Sequence, residues 1–248
     1  MNFLQRYNHG ETVQVYADIY DLGQAAFSEA HYADIHAVMQ ETMRRVAFNL
    51  ETIHHELEGI GYNFKRHASH SFEKPLLKPF LNTQYLQTAL DNVVLSFGHV
   101  PVSLKLFYSM VGSCNFAWDY DTNKNIPWAG ADPIQIMSLD DQLAQVTDKY
   151  WTDDMTEIRQ DCGTAYLELS ADYYHKDNIS GGPAYSIELT SVPSIDGHFL
   201  NEEHRTTFIN YLRIVTFENC GFGRIHAVSE DASFEKFYNN VKPKLKAL

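Results

Sequence analysis

An apolar stripe between residues 24 and 60 constrains this chain more than any other feature. Met39, Met43, Val46, Leu50, Ile53, Leu57 and Ile60 fall at alternating steps of four and three, and Tyr32 and Ile35 extend the series toward the N-terminus. Side chains at that spacing share one face of an α-helix, so a single long amphipathic helix is expected. Gly59 and Gly61 mark its end. At the α-helical rise it would span on the order of 50 Å. A stripe that long must be covered by the chain's own core or by a partner, and a homodimer through the 24–60 helix is one expectation.

The remaining pattern alternates helices with short strands. VQVYADIYDLG near the N-terminus alternates like a short strand, and YNFKRHASHSFEKPLLKPF reads as a polar, proline-bearing loop. TQYLQTALDNVVLSFG reads as a helix with Tyr85, Leu86, Ala89, Leu90, Val93 and Val94 inward. Pro101 opens a further helix that carries Leu104, Phe107, Tyr108 and Val111 to Gly112. CNFAW and PIQIMSL read as strands, and Ser138 caps a short helix. TAYLELSADYY and AYSIELT form a hairpin around NISGGP. The stretch from Asn201 to Gly223 reads as a helix capped by Asn201, and residues 231–246 as a last helix. Residues 117–177 otherwise read as acidic and turn-rich. Helices first, then strands between helices, predict an α+β fold: one mainly antiparallel sheet flanked by helices, with the long helix near the N-terminus. A single domain over 1–248 is expected, mainly helical over 1–98 and α+β over 99–248.

The 248 residues are 44% hydrophobic, with 15 Tyr, 15 Phe and 3 Trp, enough for a substantial core. The formal net charge of −13 disfavours binding to phosphate backbones and anionic membrane surfaces and favours a basic partner. No apolar run approaches the roughly 18 residues that span a bilayer. The N-terminal segment is too polar for a signal peptide, and Cys114, Cys162 and Cys220 are few and far apart, so a reducing cytoplasm is the expected compartment.

No complete catalytic motif stands out. His54-His55-Glu56 lacks the second histidine of HExxH, and the pairs His67/His70 and His198/His204 have no converging third ligand by spacing, so no metal or other cofactor is expected. Cys162 has no recognisable base partner. GGP at 181–183 is a turn rather than a phosphate cradle. Three features remain as candidate binding elements. Asp119, Asp121 and Asp132, with Asp140, Asp141, Asp153, Asp154 and Glu157 beyond, form either a solvated acidic face or a docking face. Trp118 and Trp128 bracket the acidic loop as core residues or as aromatic anchors for a cationic or flat group. Glu202, His204, Asn210 and Arg213 make a polar cluster that is either a structural network or a ligand site.

VPVSLKLFYSMVGSCNF, followed by IPWAGADPIQIM, resembles the SUKH superfamily, which includes yeast cell-wall-synthesis regulators and bacterial immunity proteins. The residues that carry the resemblance are Pro101, Leu104, Phe107, Tyr108 and Gly112, with Trp128, Asp132 and Pro133 beyond. It implies an α+β fold and a protein-binding role, often neutralisation of a toxin, and it brings no catalytic residues; with the acidic charge, the expected partner is a basic toxin. A small-ligand binder or enzyme using the 201–213 cluster, and a structural protein acting through the long helix, are the alternatives.

Overall fold

A computed structural model describes residues 1–66 and 74–248. His67 and His70 lie outside the described residues. The stripe forms one 28-residue helix, α3 (Tyr32–Gly59), which at the α-helical rise is about 42 Å long. Ile35, Val38, Met39, Met43, Val46, Leu50, Ile53 and Leu57 are buried along it, whereas Ile60, at its C-cap, is exposed. Polar Thr42 and Asn49 are buried in the same face, and each is hydrogen-bonded. Thr42 Oγ1 lies 2.7 Å from Tyr16 Oη and donates to Tyr7 Oη at 2.9 Å. Asn49 bonds both the N–H and the carbonyl of Lys246 at 2.8 Å.

The N-terminal segment is helical rather than a strand. A capping box between Asn2 and Gln5 starts α1 (Phe3–Asn8), and α2 (Thr12–Asp21) follows. The apparent alternation rests on Val13, which is exposed; Thr12, Val15, Tyr16 and Ile19 are the buried positions, and their spacing is helical. Asp34, in the first turn of α3, accepts from Phe3 N at 2.6 Å and ties α1 to the long helix.

Helices α4 (Thr83–Val94) and α5 (Val102–Met110) form where the periodicity places them. In α4 only part of the expected face turns inward: Leu90 and Val94 are buried, and Tyr85 is exposed. Pro101 takes the N-cap of α5, and Leu104, Phe107 and Tyr108 are buried. The α+β class and the antiparallel pairing hold, with two small three-stranded sheets in place of the single sheet expected. The first joins β1 (Leu76–Leu77), β2 (Ser113–Asn115) and β3 (Gln135–Ile136). The second joins β4 (Ala165–Ser170), β5 (Tyr185–Leu189) and β6 (Phe199–Leu200). The backbone N–H of Met137, just past β3, donates to Leu169 O in β4 at 2.9 Å, so the sheets abut along one line. Gly112 lies at φ +99°, and a Cβ there would run into Leu77 O, which is how β1 comes so close to the end of α5.

Between the sheets lie α6 (Leu139–Val146), capped by Ser138, and α7 (Trp151–Cys162). The second helix falls within the stretch read as turn-rich. Only Trp151 and Met155 are buried on it, too short a stripe to stand out among so many charges. A one-turn helix, α8 (Tyr173–Lys176), sits inside the β4–β5 connection. The 201–223 segment departs from expectation. Its helix, α9 (Phe208–Leu212), begins at Thr207 and widens into a π-helix over Arg213–Glu218. Residues 201–206 form a tight loop because the Glu202 carboxylate takes the N–H groups of His204 (2.7 Å) and Thr206 (3.1 Å). The chain closes with α10 (Ala232–Val241), which Asp231 caps.

Candidate functional site

The β4–β5 connection delivers a charged side chain into the interior. Asp172 accepts from His175 N at 2.8 Å and so starts α8, whose last residue, Lys176, points inward. Lys176 Nζ meets Asp132 Oδ1 at 2.6 Å, with side-chain exposures of 1% and 3%. Tyr185 Oη donates to Asp132 Oδ2 at 3.1 Å, and Lys176 Nζ lies 4.7 Å from the Tyr185 ring centroid. Burial, and then the Asp132 charge, push the Tyr185 hydroxyl well above its ordinary range. Asp132 itself holds a left-handed backbone at φ +57°. Its carbonyl takes Gly223 N at 2.7 Å, and a side chain at Gly223 would collide with its carboxylate. Next to Lys176, the Asp177 carboxylate accepts from Gly130 N at 2.5 Å, and burial raises its pKa. A buried ion pair is held this way only when geometry and further hydrogen bonds offset its desolvation.

Tyr185 also forms part of the floor of an open cleft of about 690 Å³, whose walls include Tyr173, Asn201, Glu203, Arg205 and Arg224. The rim loop is rigid by construction. Asn201 and Arg205 both adopt positive φ, at 67° and 50°, on either side of buried Glu202. Burial raises the Glu202 pKa, against the opposing pull of the two N–H donors. His204 Nε2 lies 2.8 Å from Gly223 O, so the loop rests on the segment that seats Asp132. Arg224 Nε meets Glu203 at 2.6 Å, and its guanidinium lies 3.8 Å from the Tyr173 ring centroid.

The candidate residues therefore separate into different places. Glu202 lines the cleft, and His204 lies in the same loop with its ring on Gly223 O rather than in the cleft lining. Asn210 and Arg213 face away from it, toward the end of the chain: Arg213 donates to Asn210 Oδ1 and, through Nε, to Leu248 O at 2.7 Å, and its guanidinium lies over Tyr16. Asp132 is interior, not part of an acidic surface. Asp119 accepts from Thr122 Oγ1 at 2.6 Å and folds the loop after Trp118, and Asp121 is exposed beside it. Trp118 and Trp128 are largely buried, with indole N–H groups on Asn123 O (2.8 Å) and Ser233 Oγ (3.0 Å). Together they line a hollow of about 420 Å³ with Tyr62, Pro127, Lys236 and Phe237. The aromatic pair and Asp132 thus do not share one surface.

A dense run of acidic residues lies on and around α6 and α7. Residues 140–168 hold eight carboxylates and two cations, Lys149 and Arg159. Arg159 donates to Ser96 O rather than to an acid. Asp148, Asp153, Asp154, Glu157 and Asp161 have no ion-pair partner among the described residues. Between α6, α7 and β4 lies a hollow of about 290 Å³, lined by Asp148, Trp151, Asp154, Met155, Tyr166 and Glu168.

Among the described residues, no group of three or more His, Cys, Asp or Glu is placed to hold a metal ion. His54 is wedged beside Phe64 and Phe116, and burial lowers its pKa. Cys114 and Cys220 are buried, with thiols pushed up to about 12, and Cys162 is exposed. No helix is long and apolar enough to cross a membrane, among the described residues. Lys176, Tyr185, Arg205 and Arg224 were not singled out by the sequence. A one-turn helix carries no periodicity, and the left-handed residues of the rim have no sequence marker beyond Asn201. Comparison with family models, with curated proteins and with solved structures yields no match to this chain.

Proposed function

We propose that this protein is a non-enzymatic binding module that receives a basic protein partner on the α6–α7 face. The observation that carries this reading is the acidic excess: eight carboxylates against two cations over residues 140–168. Like charges held on one folded surface repel one another, and a cationic partner removes that repulsion while its approach is accelerated. The hollow beside Trp151 and Met155 offers such a partner an apolar contact within the charged surround. The SUKH-type resemblance supports the same role, a protein that neutralises a basic toxin. The docking surface differs from the 117–132 loop that the sequence suggested, because Asp132 and both tryptophans are engaged internally.

Affinity capture from the native host at low and moderate salt, followed by mass spectrometry, tests the reading. A basic protein captured by the wild type, released as salt rises, and lost when Asp153, Asp154 and Glu157 become lysine is the expected result. Capture unaffected by those reversals would remove this face from consideration.

A further inference from the structure

We infer that the cleft above Tyr185 is a separate small-molecule site, and that its ligand is a monocarboxylate carried on a flat apolar body. The cleft's volume, about 690 Å³, falls in the range of sites that enclose drug-sized ligands. Its cationic groups have unequal duties. Arg224 is held by its ion pair with Glu203 and by its face against Tyr173, and Glu203 is its sole carboxylate partner among the described residues. Such anchoring holds a guanidinium ready for a planar, two-oxygen anion. Arg205 also lines the cleft, and no carboxylate lies in ion-pair range of it among the described residues. Its position is set by the loop that Glu202 clamps from beneath. Two arginines on one cleft stand out in a chain with 32 carboxylate side chains and 19 cationic ones.

The other walls define the rest of the ligand. Leu200 and the half-buried Tyr173 offer apolar surface, with the buried rings of Tyr185 and Phe199 behind them. Glu203 stands at the rim beside Arg224 and His226, so a second negative charge on the ligand would meet a carboxylate as well as the protein's overall negative field. That favours one negative charge over two. The floor is preorganised, because the Tyr185 hydroxyl is already committed to Asp132 and Lys176 lies beneath its ring.

Titration calorimetry of the full chain with 2-naphthoate, 2-naphthamide and 2-naphthyl phosphate tests this. 2-Naphthoate should bind, and the neutral amide should bind more weakly by about tenfold or more, the scale of a charge-assisted pair. The phosphate, a dianion at alkaline pH, should not exceed the carboxylate there. Arg205→Gln should weaken naphthoate by a similar factor while leaving the melting temperature unchanged, and Arg224→Gln should do so if it folds. The inference is overturned if 2-naphthoate does not bind, if the amide binds equally, if the phosphate binds more tightly, or if Arg205→Gln leaves the affinity unchanged. These outcomes are independent of the α6–α7 face, which the acidic reversals address.

Discussion

Lys176 Nζ and Asp132 Oδ1 lie 2.6 Å apart with both side chains sealed from solvent, although 44 residues separate them in sequence. The pair pins the β4–β5 connection onto the segment that leads into β3. Removing one partner strands a charge in the interior. Lys176→Met is expected to destabilise the fold by about 3–5 kcal/mol. Asp132→Asn, which keeps a residue that tolerates positive φ, should also be destabilising. The double variant Lys176→Met with Asp132→Asn should be more stable than the sum of the singles predicts, read by urea denaturation.

Asp177 gives a pH signature. Burial raises its folded-state pKa above the unfolded value. A carboxyl shifted upward favours the folded state most when protonated, below the unfolded pKa, and that contribution is lost as pH rises through the folded pKa. Asp177→Asn can still accept from Gly130 N but carries no charge. Relative to wild type, the variant should therefore be more stable at pH 7 than at pH 3. Parallel denaturant titrations at the two pH values check the sign.

Gly112 is expected to resist substitution. A Cβ there overlaps Leu77 O, and φ is +99°. Gly112→Ala should lower stability by about 1–3 kcal/mol or more. Gly163, at φ +76° but with nothing within reach of an added Cβ, should lose only about 1–2 kcal/mol for the left-handed conformation. Thermal unfolding of the two variants separates the steric from the conformational contribution.

The three thiols should differ in reactivity. Cys162 is exposed, while Cys114 and Cys220 are buried with pKa values pushed up to about 12. A thiol-reactive chromophore should label one cysteine in the native protein near neutral pH and all three in denaturant. Early labelling of Cys220 would show that the turn after the π-helix opens in the native state.

The long helix and the α+β class were legible because period and length speak over many residues: the stripe from Ile35 to Leu57 recurs through several turns. The N-terminal helices were not, since Val13 and Val15 imitate alternation in a window too short to oppose it. Helix α7 was hidden because two buried side chains, Trp151 and Met155, hold it down among acidic neighbours. At the candidate sites, the acidic excess was visible in composition, but which carboxylates stay at the surface was not. Asp132 and Asp153 look alike in sequence, and only the arrival of Lys176 from another element makes one interior. Similarly, Glu202 and Arg213 sit in one polar run, yet the loop geometry at Asn201 and Arg205 sends them to different neighbours.

The abutment of the two sheets has a mechanical consequence. Along their shared line the sheets meet at the amide of Met137 on Leu169 O and at Gln135, whose Oε1 accepts from Ala171 N and Ser170 Oγ. Parting the sheets along that line would leave the ladders within each sheet intact. The exchange rate of the Met137 amide therefore reports how often the sheets part. A partner gripping α6, which begins two residues after Met137, would register there as slowed exchange before any strand within either sheet responds.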